Sequence, residues 1–157
     1  MFFLQRPPQE EHDELMHQLG TLPITGVAWP RWVKALAVII MLLIGIQIVL
    51  TATGPVGRDI NPWVAGSIVL CYMGLVVMTR YMLVSTTTVS ATGIRQTWLS
   101  RREIAWSELQ FAKFIPLPAS KRLICFPVKG RPIIFQAGTQ ELQIAFARIA
   151  LVYRRRS

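Results

Sequence analysis

Two long apolar stretches, residues 33–52 and 63–83, constrain this chain more than any other feature of its sequence. Gln47 is the only polar side chain between positions 35 and 50, and residues 63–79 carry no charge. An α-helix rises 1.5 Å per residue, so about 20 residues cover the roughly 30 Å hydrocarbon core of a bilayer. Both stretches therefore predict transmembrane helices.

The loop between the two stretches, residues 53–62, is short and rich in glycine and proline, which predicts an antiparallel hairpin. Arg58 and Asp59 leave this loop without net charge. Basic residues flank the hairpin instead, with Arg31 before the first stretch and Arg80 at the end of the second. By the positive-inside rule, this distribution predicts that both termini are cytoplasmic.

The formal charge of +9 is concentrated at one end of the chain. Residues 85–157 hold 12 Lys or Arg against 3 Asp or Glu, whereas the first 34 residues have a net charge of −1. With 52% hydrophobic and only 16% charged residues, the composition is too apolar for an ordinary soluble domain. We expect a cytoplasmic N-terminal arm (residues 1–30), a transmembrane hairpin (residues 31–84) and a cytoplasmic domain (residues 85–157).

The N-terminal arm contains one predicted helix, residues 8–19, which starts at a proline and has acidic residues in its first turn. Its apolar stripe is short, and we interpret it as a solvated helix or one that docks on a partner. His12 and His17 are five positions apart, which is not the i, i+4 spacing of a helical metal pair. No metal site is expected here.

After residue 84 the pattern changes to that of strands separated by turns. Predicted strands cover residues 85–90, 94–99, 103–106, 109–115, 123–128 and 133–135. Thr139 then suits the N-cap of a helix. The apolar face of this helix consists of Leu142, Ala145, Phe146, Ile149 and Tyr153. The fold class expected for the whole chain is an α-helical transmembrane hairpin plus an α+β domain.

Two segments of this domain carry a resemblance to a known family. Residues 89–94 read Val-Ser-Ala-Thr-Gly-Ile, and residues 102–109 read Arg-Glu-Ile-Ala-Trp-Ser-Glu-Leu. This pattern resembles bacterial pleckstrin-homology-like (PH-like) domains, in which two preceding transmembrane helices are a recurring arrangement. The resemblance implies a seven-stranded antiparallel sheet or partial barrel capped by one helix, one strand more than the six predicted here, and a location in a bacterial inner membrane. It implies no phosphoinositide site, because the loop that binds headgroups in eukaryotic relatives is here short and uncharged (residues 91–93).

No residues in the sequence suggest an enzyme. Residues 85–157 contain neither His nor Asp, and the sequence has no phosphate-binding glycine loop, nucleophile elbow or cluster of metal ligands. Cys71 and Cys125 are too few for a disulfide framework and are best explained as small buried apolar residues. We therefore expect no catalytic residues, no cofactor and no metal.

Seven basic residues near predicted strand ends and turns are candidates for contact with lipid or with a partner. They are Arg101, Arg102, Lys113, Lys121, Arg122, Lys129 and Arg131. Each would contribute about 1 kcal/mol near an anionic membrane surface, and the alternative is a solvated cationic face. Nucleic-acid binding is not expected, because no nucleic-acid motif accompanies the charge. Within the hairpin, Gln47 is the candidate for an interhelical hydrogen bond.

Two classes of function fit these features. The first is a non-catalytic scaffold or accessory subunit whose PH-like domain binds a protein partner or a larger membrane complex. The second is a lipid-sensing or lipid-handling protein that uses its basic face on anionic lipid. The sequence does not place a pocket of convergent basic residues, which is the feature that would separate them.

Overall fold

The computed structural model of this chain describes residues 6–154, which form two compact units. The first unit joins the segment before residue 31 to the segment from residue 84 onward. The second unit is the intervening stretch, residues 31–83. The second unit is thus an insertion between the two segments that form the first unit.

The second unit consists mainly of two helices, α2 (Arg31–Thr53) and α3 (Pro62–Val84), which are joined by a 3-10 helix at Pro55–Asp59. The last residue of α3, Val84, belongs to the first unit. Both α2 and α3 are long and apolar enough to cross a membrane, which agrees with the two predicted spans. Asn61 begins α3, and its side-chain Oδ1 accepts a 2.9 Å hydrogen bond from the backbone N–H of Trp63. This contact occupies one of the N–H groups that a helix start leaves free.

One of the hydrogen bonds between α2 and α3 comes from Tyr72. Its hydroxyl donates to the Met41 carbonyl at 3.1 Å. Gly45 makes room for the Tyr72 ring, because a Cβ at that position would collide with the tyrosine hydroxyl. Gln47, the predicted interhelical residue, lies along a small space between the helices but is itself exposed. Tyr72 was missed because a phenol inside an apolar run looks like one more hydrophobic residue.

In the first unit, four antiparallel strands form a sheet in the order β1-β2-β3-β4. They are β1 (Ile24–Val27), β2 (Thr86–Val89), β3 (Gly93–Thr97) and β4 (Arg101–Ala105). Strand β1 belongs to the segment predicted as a separate N-terminal arm, and it pairs with β2 so that Ile24 faces Val89 and Val27 faces Thr86. The predicted boundary between the arm and the domain therefore differs from the structure, in which the arm supplies a seventh strand.

The second sheet is formed by β5 (Leu109–Pro116), β6 (Lys121–Pro127) and β7 (Ile133–Ala137), in that order and antiparallel. All six predicted strands are present, with their ends within two residues of the predicted ones. The two sheets remain separate, so the predicted partial barrel is wrong.

The backbone N–H and C=O groups on the free edge of β7 form hydrogen bonds with side chains of the first sheet, and not with the backbone of another strand. The Gln136 N–H donates to Gln96 Oε1 at 2.9 Å, and the Thr87 hydroxyl donates to the Gln136 carbonyl at 2.7 Å. Arg102 donates to the Ile134 carbonyl at 3.2 Å. A polar backbone edge at the junction of two sheets needs such partners. Because side chains provide them, β7 does not continue the first sheet.

Helix α4 (Gln140–Val152) contacts strands of both sheets, and helix α1 (Gln9–Leu19) packs on α4. The predicted apolar face of α4 is buried as expected. The prediction of one capping helix is incomplete, because α1 also buries Leu15 and Leu19 in the same core. The largest fully buried side chains of the core are Phe135, Phe146, Leu15, Ile94, Ile104, Leu109, Leu123, Leu142 and Ile149.

Close packing extends to β1, which lies against the start of α4. A Cβ added at Gly26 would lie only 2.8 Å from Leu142 Cδ1 and would also collide with the Thr139 hydroxyl. Only a residue without a side chain lets the strand come this near to the helix. The N-terminal segment is therefore a packed part of the domain.

Replacing Leu15 by Ala tests whether the N-terminal helix is part of the core. Leu15 is completely buried, so we expect Leu15→Ala to lower the free energy of unfolding by about 2–5 kcal/mol, through lost burial and the cavity left behind. His17→Ala, two residues further along on the exposed side of α1, is the matched control and should have little effect. Thermal or denaturant unfolding monitored by tryptophan fluorescence measures both; equal small effects would show that α1 is not docked.

Candidate functional site

The predicted basic residues of sheet β5-β6-β7 do not converge on one point. Lys121 and Arg122 begin β6, whereas Lys129 and Arg131 lie in the turn after it. Strand β6 has seven residues, so at about 3.3 Å per residue its two ends are roughly 20 Å apart. A single headgroup or phosphate cannot contact both pairs.

Arg101 and Arg102 lie in strand β4, and not in the turn expected for them. The Arg101 guanidinium is 3.1 Å from the Glu103 carboxylate, which also lies 3.7 Å from Arg95. Arg102 lies over the Trp98 ring, with its guanidinium carbon 5.5 Å from the ring centre, and it binds the backbone of β7. These arginines already have partners within the domain.

A depression between β4 and β7 includes both arginines and an acidic residue. Its volume is about 480 Å³, and the carboxylate of Glu103 lines it beside Arg101 and Arg102. Because the carboxylate offsets one of the two cations, the depression attracts an anion less than two free arginines would. We do not regard it as the functional site.

The larger groove lies between strand β5 and the C-terminal half of α4, and we call it the β5–α4 groove. Its volume is about 700 Å³, which is within the usual range for a ligand site, about 300–1,000 Å³. Its apolar lining consists of Phe111, Phe114, Phe126, Ala147, Ala150 and Leu151, together with Ala112. Two cations, Lys113 and Arg154, complete it, and no acidic residue of the described part of the chain lines it.

Strand and helix periodicity explain how this groove forms. Phe111 and Phe126 are register partners on β5 and β6, and their rings stack with centroids 4.1 Å apart. On the facing helix, Ala147 and Ala150 are three positions apart, so both present a small side chain to the same face. Two alanines opposite two stacked phenylalanines leave the space that larger helix residues would fill.

Of the seven predicted basic residues, only Lys113 lines this groove. Lys113 and Arg154 are both exposed, and the described residues provide no hydrogen bond or ion pair to either side chain. Arg154 was not among the predicted residues, because the sequence does not show that the end of α4 lies beside β5. The two cations are therefore free to bind a ligand.

The last turn of α4 is fixed to β5 by a backbone hydrogen bond. The Ala112 N–H donates to the Tyr153 carbonyl at 2.8 Å. This bond occupies the Ala112 N–H, which points away from the sheet beside the groove. A peptide that bound along β5 as a further strand therefore cannot use this donor. The same bond also sets the spacing between Lys113 and Arg154, the neighbours of the two bonded residues.

Beside the groove, three rings connect the N-terminal helix to the domain. The rings of Trp106 and Tyr153 stack at 5.9 Å, and His12 meets both edge-on. The Trp106 indole N–H donates to the Ser90 carbonyl at 2.9 Å, and Arg6 donates to the Trp106 carbonyl at 2.6 Å. The N-terminal helix thus docks on its own chain, where a solvated or partner-docking helix was expected.

A short hydrogen bond joins His12 to Tyr153, with 2.7 Å between Nδ1 and the hydroxyl oxygen. Burial lowers the pKa of His12; Asp13 opposes that shift and Arg6 adds to it. Burial also raises the pKa of Tyr153 to about 12. At neutral pH this hydrogen bond therefore joins a neutral histidine to a protonated tyrosine hydroxyl. No group of three or more metal ligands occurs in the described part of the chain.

No protein-family model matches this chain, and no curated protein or solved structure matches it at a significant level. The PH-like resemblance therefore stays a prediction from residues 89–94 and 102–109. The features that bear on function are the domain formed by the segments on both sides of α2 and α3, these two apolar helices, and the β5–α4 groove.

The His12–Tyr153 contact predicts that the domain is less stable in acid. Because the pKa of His12 is lower in the folded domain than its ordinary 6.5, the unfolded chain binds this proton first as the pH falls. The resulting stability is fully present above pH 6.5 and decreases as the pH falls below that value toward the folded-state pKa. Unfolding measured at several pH values should show this decrease in the native chain.

Two variants separate His12 from other titrating groups. His12→Gln should weaken the decrease in stability on acidification, and His17→Gln, on the exposed side of the same helix, should leave it unchanged. Identical pH profiles for all three proteins would contradict the assignment.

Proposed function

We propose that this chain is a non-catalytic integral protein of a bacterial inner membrane that presents a PH-like domain at the cytoplasmic face, as a scaffold or accessory subunit. The observation that carries the proposal is the pairing of β1 with β2 across the inserted hairpin. Strands in one sheet must lie in one compartment, so the segments before and after the hairpin lie on the same side of the membrane. Two spans satisfy that condition.

The charge distribution supports the cytoplasmic side. The loop between α2 and α3 has Arg58 and Asp59 as its only charged residues, whereas residues 85–157 hold 12 of the 17 Lys and Arg of the sequence. Positive charge near span ends favours the cytoplasmic face. The proposal therefore places residues 55–59 outside and the domain inside.

The strand order supports the PH-like part of the proposal. Four antiparallel strands, three more, and a C-terminal helix follow one another along the chain. The family resemblance implies seven strands and a final helix, and β1 provides the strand that the sequence pattern after residue 84 lacks. The N-terminal helix α1 is an addition to that plan.

A scaffold role follows from tethering and from exposed apolar side chains at hairpin tips. Leu99 lies in the β3–β4 turn and Val128 in the β6–β7 turn, and each is about half exposed (49% and 55%). Two membrane spans hold these tips near other membrane proteins, which raises the effective concentration of the domain for such partners. Even modest contacts are then sufficient for a stable complex.

A second candidate function, lipid handling, is favoured by the β5–α4 groove. The groove combines an apolar lining with two cations that have no ion pair within the described residues. This combination fits an anionic amphiphile better than the dispersed basic residues fit a lipid surface. The two functions are compatible, because a scaffold can also carry a lipid site.

Site-specific photo-crosslinking in native membranes tests the scaffold role. A photoreactive amino acid at Val128 should crosslink a protein partner of one defined mass, because this side chain lies at an exposed tip of the domain. The control is the same amino acid at Val56, in the loop between α2 and α3, where exposure is similar (67%). That position should not capture the same partner.

The yield and the mass of the product decide the result. A reproducible crosslink from Val128, and from Leu99, to the same protein supports the scaffold. Crosslinks only to lipid, only to a second copy of the chain, or to the same protein from Val56 would contradict it.

A further inference from the structure

We propose that the β5–α4 groove binds a single-chain anionic amphiphile, with its acidic head between Lys113 and Arg154 and its chain along the apolar lining. The proposal rests on the membrane anchoring proposed above and makes the lipid-handling candidate specific. It assigns this site to a class of ligand, an acyl chain that ends in a carboxylate or a phosphate monoester.

The apolar lining argues for the acyl chain. Phe111, Phe126 and Leu151 expose hydrocarbon to the groove, and Leu151 is 68% exposed on the helix side. Exposed apolar surface in a concave site is stabilised by covering it. The alanines at positions 147 and 150 leave a path for one chain along the helix.

The two cations argue for the acidic head. Among the residues that the structure describes, Lys113 and Arg154 are the only charged ones that line the groove, and neither has an ion pair there. Both project from segments held together by the bond between the Ala112 N–H and the Tyr153 carbonyl. A carboxylate or phosphate between them gains charge-assisted hydrogen bonds without moving the backbone.

The same geometry disfavours a peptide as the occupant. A bound peptide needs partners for its own N–H and C=O groups, yet among residues 6–154 the only polar side chains that line the groove are two donors. Strand addition to β5 is blocked beside the groove, because α4 already occupies the Ala112 N–H. An acyl chain needs no hydrogen bonds.

The size of the groove favours one chain over two. A two-chain phospholipid would place one chain in the groove and leave the other uncovered, and each exposed methylene costs free energy. Fatty acids and lysophospholipids occur in membranes and exchange readily from them. A domain tethered to the membrane surface therefore meets such ligands at high local concentration.

Photoaffinity labelling of the full chain in nanodiscs of neutral phosphatidylcholine tests this assignment. Three probes carry the same diazirine-bearing 16-carbon chain: a fatty acid, a lysophosphatidate and an uncharged monoacylglycerol. We expect labelling of the peptides that contain Phe111 and Leu151 by one or both anionic probes, at least about tenfold above the uncharged probe. The two anionic probes identify whether the head is a carboxylate or a phosphate.

Two variants test the head and the chain separately. Lys113→Gln with Arg154→Gln should reduce anionic labelling about tenfold, and Ala150→Trp, which fills the groove, should abolish it. The charge-matched control, Lys129→Gln with Arg131→Gln, removes the same charge from the β6–β7 turn and should leave labelling unchanged. Tryptophan fluorescence and unfolding of each variant confirm that the domain is folded.

Several results would overturn the proposal. These are equal labelling by the uncharged probe, an equal loss in the control pair, labelling confined to α2 and α3, or labelling that persists in a folded Ala150→Trp variant. A photoreactive residue at Leu151 that captures a protein and no lipid would assign the groove to a peptide instead. None of these results bears on the protein partner captured from Val128. The ligand proposal for the groove and the scaffold proposal can therefore be contradicted independently.

Discussion

The pairing of β1 with β2 is the interaction on which the rest of this structure depends. It joins Ile24–Val27 to Thr86–Val89 across the whole inserted hairpin, and the bond from the Ala28 N–H to the Ser85 carbonyl at 3.1 Å extends the pairing toward the hairpin. The chain therefore enters and leaves the hairpin at neighbouring points of one sheet. Topology, the composition of the core and the position of α1 all follow from this pairing.

Local sequence patterns predicted the parts of the fold that local physics determines. The two apolar helices, six of the strands and the buried face of α4 follow from hydrophobic periodicity and turn residues. Strand β1 has only four residues, one of them Gly26, and it pairs with a segment far away in the sequence. Such a strand has too short a pattern to detect. The stripe of Leu15 and Leu19 was visible, but the core that it fills was not.

The candidate site shows the same limit. Neighbouring basic residues of the sequence, such as Arg122 and Lys129, lie at opposite ends of β6, whereas Lys113 and Arg154 are distant in sequence but line one groove. The packing of α4 beside β5 brings Lys113 and Arg154 together, and the spacing of these residues in the sequence does not reveal that contact. The end of α4 contributes to two neighbouring features. Tyr153 packs against His12 and Trp106, and Arg154 lines the groove.

Disulfide trapping between β1 and β2 tests this account most directly. Thr25 and Thr88 are register partners whose hydroxyls lie 3.2 Å apart, so a cysteine at each position meets the geometry of a disulfide. Cys71 and Cys125 are first replaced by Ala, and a protease site is placed in the loop between α2 and α3. The account predicts that, after oxidation in membranes and cleavage, the two fragments stay covalently joined until a reductant is added. Fragments that separate without reductant would show that the segments before and after the hairpin do not form one domain.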